Sequence, residues 1–429
     1  MKDKVVNKFI VGNQIIYYYE KPDIDEVSRI SMRILAGSGF ENKRGLAHFT
    51  EHMIFNGTKK YPNHNALSEA CKLCGNEFDG TTSPYSLDIK SHILNEKFFD
   101  ALDLILDMVN DPVFTPEDVE KERPIILQES VDFLNKMRRD YDELNNILFK
   151  PNRFINNLIG TNEEINEITY EDICKYWEDN FKNPYKKVLF ISSSIPIQDI
   201  MDHLSQSPYI TGSLDEKIDK FKEAVDELEF NDGNNGDIIA RKSVIDTYNV
   251  IYECIVPFAH NENTLYALNI FGNMLSSGSY SIIPQELRYK KHMVYNHSIN
   301  FKQIAANEKM HIRIFVDANS PENLKKIDSY LEKFISDPTY YTEDTLDKIK
   351  LSCRFDIASI SEANILNRAR TFVMANGLKD SFNITQRAKE YMNITLDDIK
   401  EIAENKVLLQ DYRRVYYAPK DNFDLIAQL

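Results

Sequence analysis

The chain has 429 residues, 42% of them hydrophobic, and a formal net charge of -16 at pH 7. This length predicts two domains rather than one. The excess of acidic over basic residues argues against nucleic acid as a partner and favours cationic partners such as basic peptides. No apolar run is long enough to span a bilayer, and the N-terminal residues show no secretory signal pattern. The five cysteines are too few and odd in number for a disulfide scaffold. A cytoplasmic protein without membrane contact is therefore expected.

Strands and helices alternate along the chain. The strands predicted from β-branched and aromatic content are residues 15–20, 27–35 and 186–194. The helices predicted from apolar spacing are residues 46–55, which Gly57 ends, 95–111, which Pro112 stops, and 169–181, which a threonine caps. This mixture predicts an α+β class with an open sheet covered by helices.

The chain also repeats itself at an offset of 226 or 227 residues. DPVFTPED at 111–118 is answered by DPTYYTED at 337–344, ITYEDI at 168–173 by ITLDDI at 394–399, and YKKVLF at 185–190 by YRRVYY at 412–417. Three matches in the same order indicate two halves of similar fold. The segment FNDGNNGD at 230–237 has the composition of a linker, which places an N-terminal domain at 1–229 and a C-terminal domain at 238–429.

The segment GLAHFTEHMIFNGT at 45–58 carries the first chemical motif. His48 and His52 are four residues apart, so both lie on one face of a helix, and Glu51 shares that side. Two imidazoles can bind one metal ion, and the carboxylate can take a proton from a water molecule. The alternative is a chance pair of histidines on a half-buried helix, although the pattern HxxEH is also that of the inverted zinc proteases.

A zinc site needs a third protein ligand, and the segment EDVEKERPIILQES at 117–130 offers two. Glu122 and Glu129 are seven residues apart, which is two helical turns, so either carboxylate could complete the site. The alternative is a solvated acidic face on a charged helix. Pro124 lies between them and is expected to kink or restart the helix.

The second half of the chain has none of these five polar groups. At an offset of 226, His48, Glu51, His52, Glu122 and Glu129 correspond to Met274, Ser277, Gly278, Lys348 and Phe355, in that order. A half can therefore fold without them, which favours a chemical role in the first half.

On these residues the chain resembles the pitrilysin family of inverzincin metallopeptidases, over nearly its full length. GSGFENKRGLAHFTEHMIFNGTKKYP at 37–62 is similar to the family's metal-binding helix, and EKERPIILQES at 120–130 to the segment with its third ligand. The resemblance implies that Glu129 joins the two histidines in holding one Zn2+, with Glu122 as a supporting carboxylate. It also implies a clamshell of two similar α/β sandwich halves, each a mostly antiparallel sheet covered by helices.

A second resemblance lies in the other half, where LRYKKHMVY at 287–295 is similar to the family's substrate-binding segment. It implies that Arg288 and Tyr295 reach across the cleft to clamp the substrate and the developing oxyanion. Without the resemblance, both are interpreted as surface or packing residues. His292 and His297 lie near this segment and are further candidates for the cleft wall.

One departure concerns an edge strand on which family members often carry Asn-Ala. Asp79 and Gly80 stand there in this chain, and Pro84 is expected to limit hydrogen bonding along that edge. The substrate preference is therefore left open. Cys71 and Cys74 form a lone CxxC, which is interpreted as packed thiols at a helix end.

The expected function is a zinc-dependent endopeptidase in which Glu51 is the general base. The resemblance implies substrates such as oligopeptides, or a precursor or leader peptide, inside a chamber closed by a homodimer or by a heterodimer with a related chain. The alternatives are a partner-dependent subunit of a heterodimeric peptidase, a non-catalytic peptide-binding or structural subunit, and a metal-binding module without hydrolysis.

Overall fold

The computed structural model describes residues 4–75, 78–133, 139–152, 154–155, 158–214, 229–231, 238–243, 247–257, 262–303, 309–376 and 381–419. The strands are β1 (Val5–Val11), β2 (Gln14–Glu20), β3 (Val27–Ile34), β4 (Phe78–Thr82), β5 (Leu87–Leu94), β6 (Lys187–Ser193), β7 (Ile238–Ser243), β8 (Tyr248–Pro257), β9 (His297–Gln303), β10 (Lys309–Ala318), β11 (Ser381–Asn383) and β12 (Tyr412–Pro419). The α-helices are α1 (Leu46–Ile54), α2 (His64–Leu73), α3 (Phe98–Asn110), α4 (Pro116–Phe133), α5 (Arg139–Leu148), α6 (Asn162–Asn166), α7 (Tyr170–Phe181), α8 (Ile197–Ser205), α9 (Glu262–Ser276), α10 (Pro321–Ser336), α11 (Glu343–Ala358), α12 (Glu362–Asn376), α13 (Ile384–Asn393) and α14 (Leu396–Glu404).

Two sheets organise these elements. The first has the strand order β11-β1-β2-β6-β3-β5-β4, and the second has the order β7-β12-β8-β10-β9. The pairs β2-β6 and β7-β12 are parallel, whereas the next three pairs in each sheet are antiparallel. The same mostly antiparallel sheet is thus built twice, which confirms the α+β fold of two similar halves that the sequence repeats predict.

Helix α1 packs on one face of the first sheet, because apolar residues alternate along the strands. On β3, Ile30, Met32 and Ile34 are buried in the core that also contains Phe49 and Met53 of α1. Each fully buried side chain of this kind contributes about 1.5–3 kcal/mol to folding. This packing fixes α1 against the first sheet, near its β4 edge.

The two halves also share elements. β11 of the second half pairs antiparallel with β1, and Ile365 of α12 packs in one cluster with Tyr17 and Phe190 of the first sheet. The first half contributes to the second in turn, because Leu148 of α5 packs with Val415 of the second sheet. Most of the predicted linker, residues 232–237, lies outside the described residues, so the domain limits stay a prediction.

The predicted elements agree with the structure to within a few residues, with one difference at α4. The helix continues through Pro124 instead of restarting there. Val119 and Ile126 are both buried, so the core holds the helix on either side of the proline. Glu122 and Glu129 therefore project from one continuous helix.

Among the described residues, no helix combines the length and the apolar character that crossing a membrane requires.

Candidate metal centre

Helix α1 begins at a residue that must be glycine. Gly45 has φ of 87°, and a Cβ there would overlap the carbonyl oxygen of Ile159. The Glu41 carboxylate accepts hydrogen bonds from the backbone N–H groups of Gly45 and Ala47 at 2.9 and 2.8 Å. Glu41 thereby satisfies donors that the start of a helix leaves free, and it fixes the direction in which α1 presents its histidines.

Three side chains converge beside α1. The Oε2 atom of Glu129 lies 3.6 Å from Nε2 of His48 and 3.5 Å from Nε2 of His52. One ligand atom from each of the three residues lies within 4.8 Å of the other two. Zinc–ligand bonds of about 2.0–2.1 Å in tetrahedral geometry separate the ligand atoms by roughly 3.3 Å. The donor set of two imidazoles and one carboxylate therefore fits a zinc ion.

Glu122 takes a different position from Glu129. Its Oε1 atom lies 2.8 Å from Nδ1 of His52, on the side of the ring away from Glu129. A proton held on Nδ1 by this carboxylate leaves the Nε2 lone pair free for a metal. The two glutamates thus occupy different positions at the site, which their spacing along the helix could not show.

The surrounding groups shift the pKa values of the two histidines in opposite directions. Burial and the neighbouring His52 lower the pKa of His48 to about 3, which keeps this ring neutral. Burial also disfavours a charged His52, but the hydrogen bond of Glu122 and the charges of Glu129, Glu122 and Glu51 together raise the pKa of His52. The buried Nδ1 atom of His48 has no hydrogen-bond partner among the described residues.

Glu51 is buried between α1 and the edge strand β4. The Thr82 hydroxyl donates a hydrogen bond to its Oε2 atom. A Cβ at Gly80 would overlap its Oε1 atom, so the glycine leaves room for the carboxylate. Burial raises the pKa of Glu51, against the lowering effects of Thr82 and His52. A carboxylate with a raised pKa in a fixed position suits proton transfer.

The sequence analysis missed Thr82 and interpreted Gly80 only as a departure from the family pattern. Strand alternation would have placed both residues on the face that meets α1. β4 ends at Thr82 and pairs with β5 along its full length, so Pro84 lies outside the strand and its effect on the free edge stays a prediction. Pro84 lies in the following turn, where its carbonyl oxygen accepts the N–H of Gly39.

Arg288 and Tyr295 lie beside each other in the second half of the chain. Arg288 belongs to a π-helical turn at Pro284–Tyr289, and its guanidinium carbon is 5.2 Å from the centre of the Tyr295 ring. The Tyr295 side chain is 69% exposed. Across the described chain, no hydrogen bond or ion pair joins either residue to the three converging ligands, so their role as a clamp stays a prediction.

The remaining candidates have structural environments of their own. Cys71 and Cys74 are free, buried thiols at the end of α2, as expected, and burial raises the pKa of Cys71 to about 12. Within the described residues they take no part in the metal-binding group. His297 pairs through Nδ1 with the Ser276 hydroxyl at 2.7 Å, and His292 has φ of 54°.

A pH-dependent stability is expected from Glu41. Burial raises the pKa of Glu41 to about 8, although the N–H groups of Ala47 and Gly45 lower it. Between its ordinary pKa and about pH 8 the unfolded chain loses this proton while the folded chain keeps it. The contribution of Glu41 to the free energy of unfolding therefore falls as pH rises, by up to about 1.4 kcal/mol per pH unit.

Glu41→Gln removes this titration. Urea unfolding of both chains at about pH 5, 6.5 and 8 should show a stability difference, wild type minus variant, that shrinks with rising pH. A difference that stays constant over this range would show that Glu41 does not titrate there.

Part of the chain matches a known protein family. The model of the insulinase family, peptidase family M16, matches residues 18–162. Mitochondrial-processing peptidase subunit beta of Dictyostelium discoideum is 28% identical over 160 residues, which are 36% of this chain and 34% of that protein. The probable zinc protease PqqL of Haemophilus influenzae is 26% identical over 220 residues, which are 48% of this chain and 24% of that protein. The chain thus matches about a third or less of the length of these relatives.

Solved structures resemble the whole chain. A protease from Helicobacter pylori aligns with a TM-score of 0.79 and 17% identity, covering 97% of this chain and 99% of the other. A peptidase M16 inactive domain from Pseudomonas fluorescens aligns with a TM-score of 0.78 and 15% identity, covering 97% and 98%. At these identities the likeness shows the fold. The sequence match and the fold together show that the chain contains a domain of the M16 peptidase family, at residues 18–162.

Proposed function

We propose that the chain is a zinc-dependent endopeptidase. The observation that carries this proposal is the approach of His48, His52 and Glu129 to within 4.8 Å of one another, beside the buried carboxylate of Glu51. Membership of a peptidase family and similarity to proteins named as zinc proteases support it.

Each residue of the site has a separate chemical role. A bound zinc ion would supply Lewis acidity, which lowers the pKa of a water molecule toward neutrality. Glu51 accepts a proton from the attacking water and passes it to the leaving amine. Thr82 holds Oε2 of Glu51, so the other oxygen is left for proton transfer. Glu122 fixes the tautomer of His52 through Nδ1.

The substrates proposed are oligopeptides, or a precursor or leader peptide, taken into an enclosed chamber. Arg288 and Tyr295 would contact the substrate, the arginine through its fixed donors and the tyrosine through its hydroxyl. Because the metal centre and this pair belong to different halves of the chain, catalysis would need closure or a second chain. The relative named as a subunit of mitochondrial-processing peptidase supports a homodimer or a heterodimer with a related chain.

The test is hydrolysis of an internally quenched peptide library by the purified chain, with bound metal measured in the same sample. Cleavage that a chelator abolishes and added zinc restores supports the proposal. A chain that holds zinc and cleaves nothing, alone or with a related chain, overturns it.

A non-catalytic peptide-binding or structural subunit is the second candidate. Its support is the fold shared with an M16 domain named as inactive. The two candidates differ in what they require of Glu51, because a binding subunit needs no general base.

Thr82→Val should lower kcat about tenfold with little change in KM. The variant keeps the shape of the side chain but removes the hydrogen bond to Glu51, and a hydrogen bond to a charged group contributes about 1.5–3 kcal/mol. Steady-state kinetics on one quenched peptide would measure the loss.

Thr82→Ser should restore most of the rate, since serine keeps the hydroxyl. Thr81→Val is the matched control, because Thr81 lies on the opposite face of β4 and contacts Lys90. Equal losses in Thr82→Val and Thr81→Val would mean that the strand, rather than this hydrogen bond, matters.

A further inference from the structure

A group of arginines lies on the face of the first sheet opposite α1. Along β3, Ile30 faces the helix-covered core, whereas Arg29 and Arg33 alternate onto the other face. On the neighbouring strand β5, His92 lies directly opposite Arg29, and Asp88 lies directly opposite Arg33.

Arg370 of α12 joins this group from the second half of the chain. The guanidinium carbons of Arg370 and Arg33 each lie 5.8 Å from the centre of the Phe190 ring. Arg33 donates to both carboxylate oxygens of Asp88, at 2.8 and 2.9 Å. The Nε atom of Arg370 is 3.9 Å from the same carboxylate. Arg33 and Arg370 therefore share one carboxylate.

Arg29 and Arg370 differ from other arginines of the described chain. Each has a buried Nε atom without a hydrogen-bond partner. The same holds for two arginines that each have another carboxylate nearby, namely Arg44 with Glu164 at 3.7 Å and Arg414 with Asp328 at 2.9 Å. Among the residues that the structure describes, Arg29 contacts the His92 ring, 2.5 Å from its Nη1 atom, and the carboxylate nearest to Arg370 is the one that Arg33 already occupies.

The group is therefore short of negative charge. The Arg370 side chain is 13% exposed, and burial lowers its pKa to about 10, with Asp88 opposing this effect and Arg33 and Arg29 adding to it. Buried positive charges that share too few carboxylates are unfavourable, so an anion placed among them would be stabilised. The His92 end of the group is exposed, so an anion can reach the arginines from solvent there.

We propose that Arg29 and Arg370, beside the Arg33–Asp88 pair, bind a carboxylate group. Guanidinium groups match carboxylates in shape and charge. The source of the carboxylate is an acidic side chain or the C-terminus of a peptide substrate, and this assignment rests on the proposed peptidase function. The local charge thus selects acidic groups, although the net charge of -16 favours basic peptides.

A purely structural role for Arg370, joining α12 to the first sheet, is the competing explanation. It predicts that Arg370→Gln lowers Tm by the same amount in every salt. A carboxylate site predicts instead that the loss depends on the anion.

The first experiment measures Tm of the full chain in sodium acetate and in sodium chloride at equal ionic strength, about 0.2 M. Acetate should raise Tm of the wild type by about 2 °C more than chloride does. Arg370→Gln and Arg29→Gln should both lose this excess. Arg354→Gln should keep it, since Arg354 is an exposed arginine of α11 outside the group. An excess that persists in Arg370→Gln overturns the site, because acetate would then act elsewhere, for example at the metal centre.

The second experiment identifies the source of the carboxylate. Binding of fluorescent peptides to the Glu51→Gln chain is compared within two matched sets, one differing only in Glu against Gln and one only in a free against an amidated C-terminus. We expect about tenfold tighter binding of the carboxylate form in one set, and its loss with Arg370→Gln. Equal affinities in both sets overturn the peptide assignment. If no peptide binds and the unmodified chain cleaves none, the proposed function fails, and the acetate result still decides the anion site.

Discussion

Glu51→Gln should lower kcat at least a hundredfold while the chain keeps its zinc. Glutamine has nearly the same size and can still accept the Thr82 hydrogen bond, so the pocket between α1 and β4 should survive. What it loses is the ability to take a proton from water, and general base catalysis contributes about 10²–10⁴-fold. The ligands His48, His52 and Glu129 are unchanged.

The measurement is kcat on a quenched peptide, together with the zinc content of each purified chain. Glu117→Gln is the matched control, because Glu117 is a glutamate of α4 whose side chain is 78% exposed and paired with Lys121. It should match the wild type in both readouts. A Glu51→Gln chain that cleaves at the wild-type rate would remove Glu51 from the mechanism and favour a different base.

The sequence predicted those parts of the fold and the candidate site that rest on local spacing. Helical periodicity placed His48, Glu51 and His52 on one face of α1, and the repeat at 226 residues predicted two halves of similar fold. A spacing of seven residues on one helix could not decide between Glu122 and Glu129. Their separate positions follow from how α4 crosses α1, which is a tertiary property.

The parts that were missed depend on contacts between distant segments. The hydrogen bond from Thr82 to Glu51 joins residues 31 apart across a helix and a strand. Arg370 reaches the first sheet because α12 of the second half packs there, in the cluster that contains Phe190. Strand alternation indicates only which face of β4 carries Thr82, and no local pattern signals the contact of Arg370, since arginines on helices are ordinary surface residues.

This dependence on tertiary contacts makes the two glutamates of α4 the sharpest test of the metal centre. Glu129→Gln should weaken zinc binding by more than about 100-fold, because it replaces the only charged atom among the three converging ligands. Glu122→Gln should weaken it by about 10–100-fold, since that residue acts through Nδ1 of His52 rather than on the metal.

Zinc affinity measured by competition with a chelator would give this ranking, and the rise in Tm on adding zinc should follow the same order. Glu117→Gln on the same helix should bind zinc as the wild type does, which controls for the loss of one negative charge from α4. A larger loss in Glu122→Gln than in Glu129→Gln would exchange the two roles. The metal would then sit against the opposite edge of the His52 ring, beside Glu122.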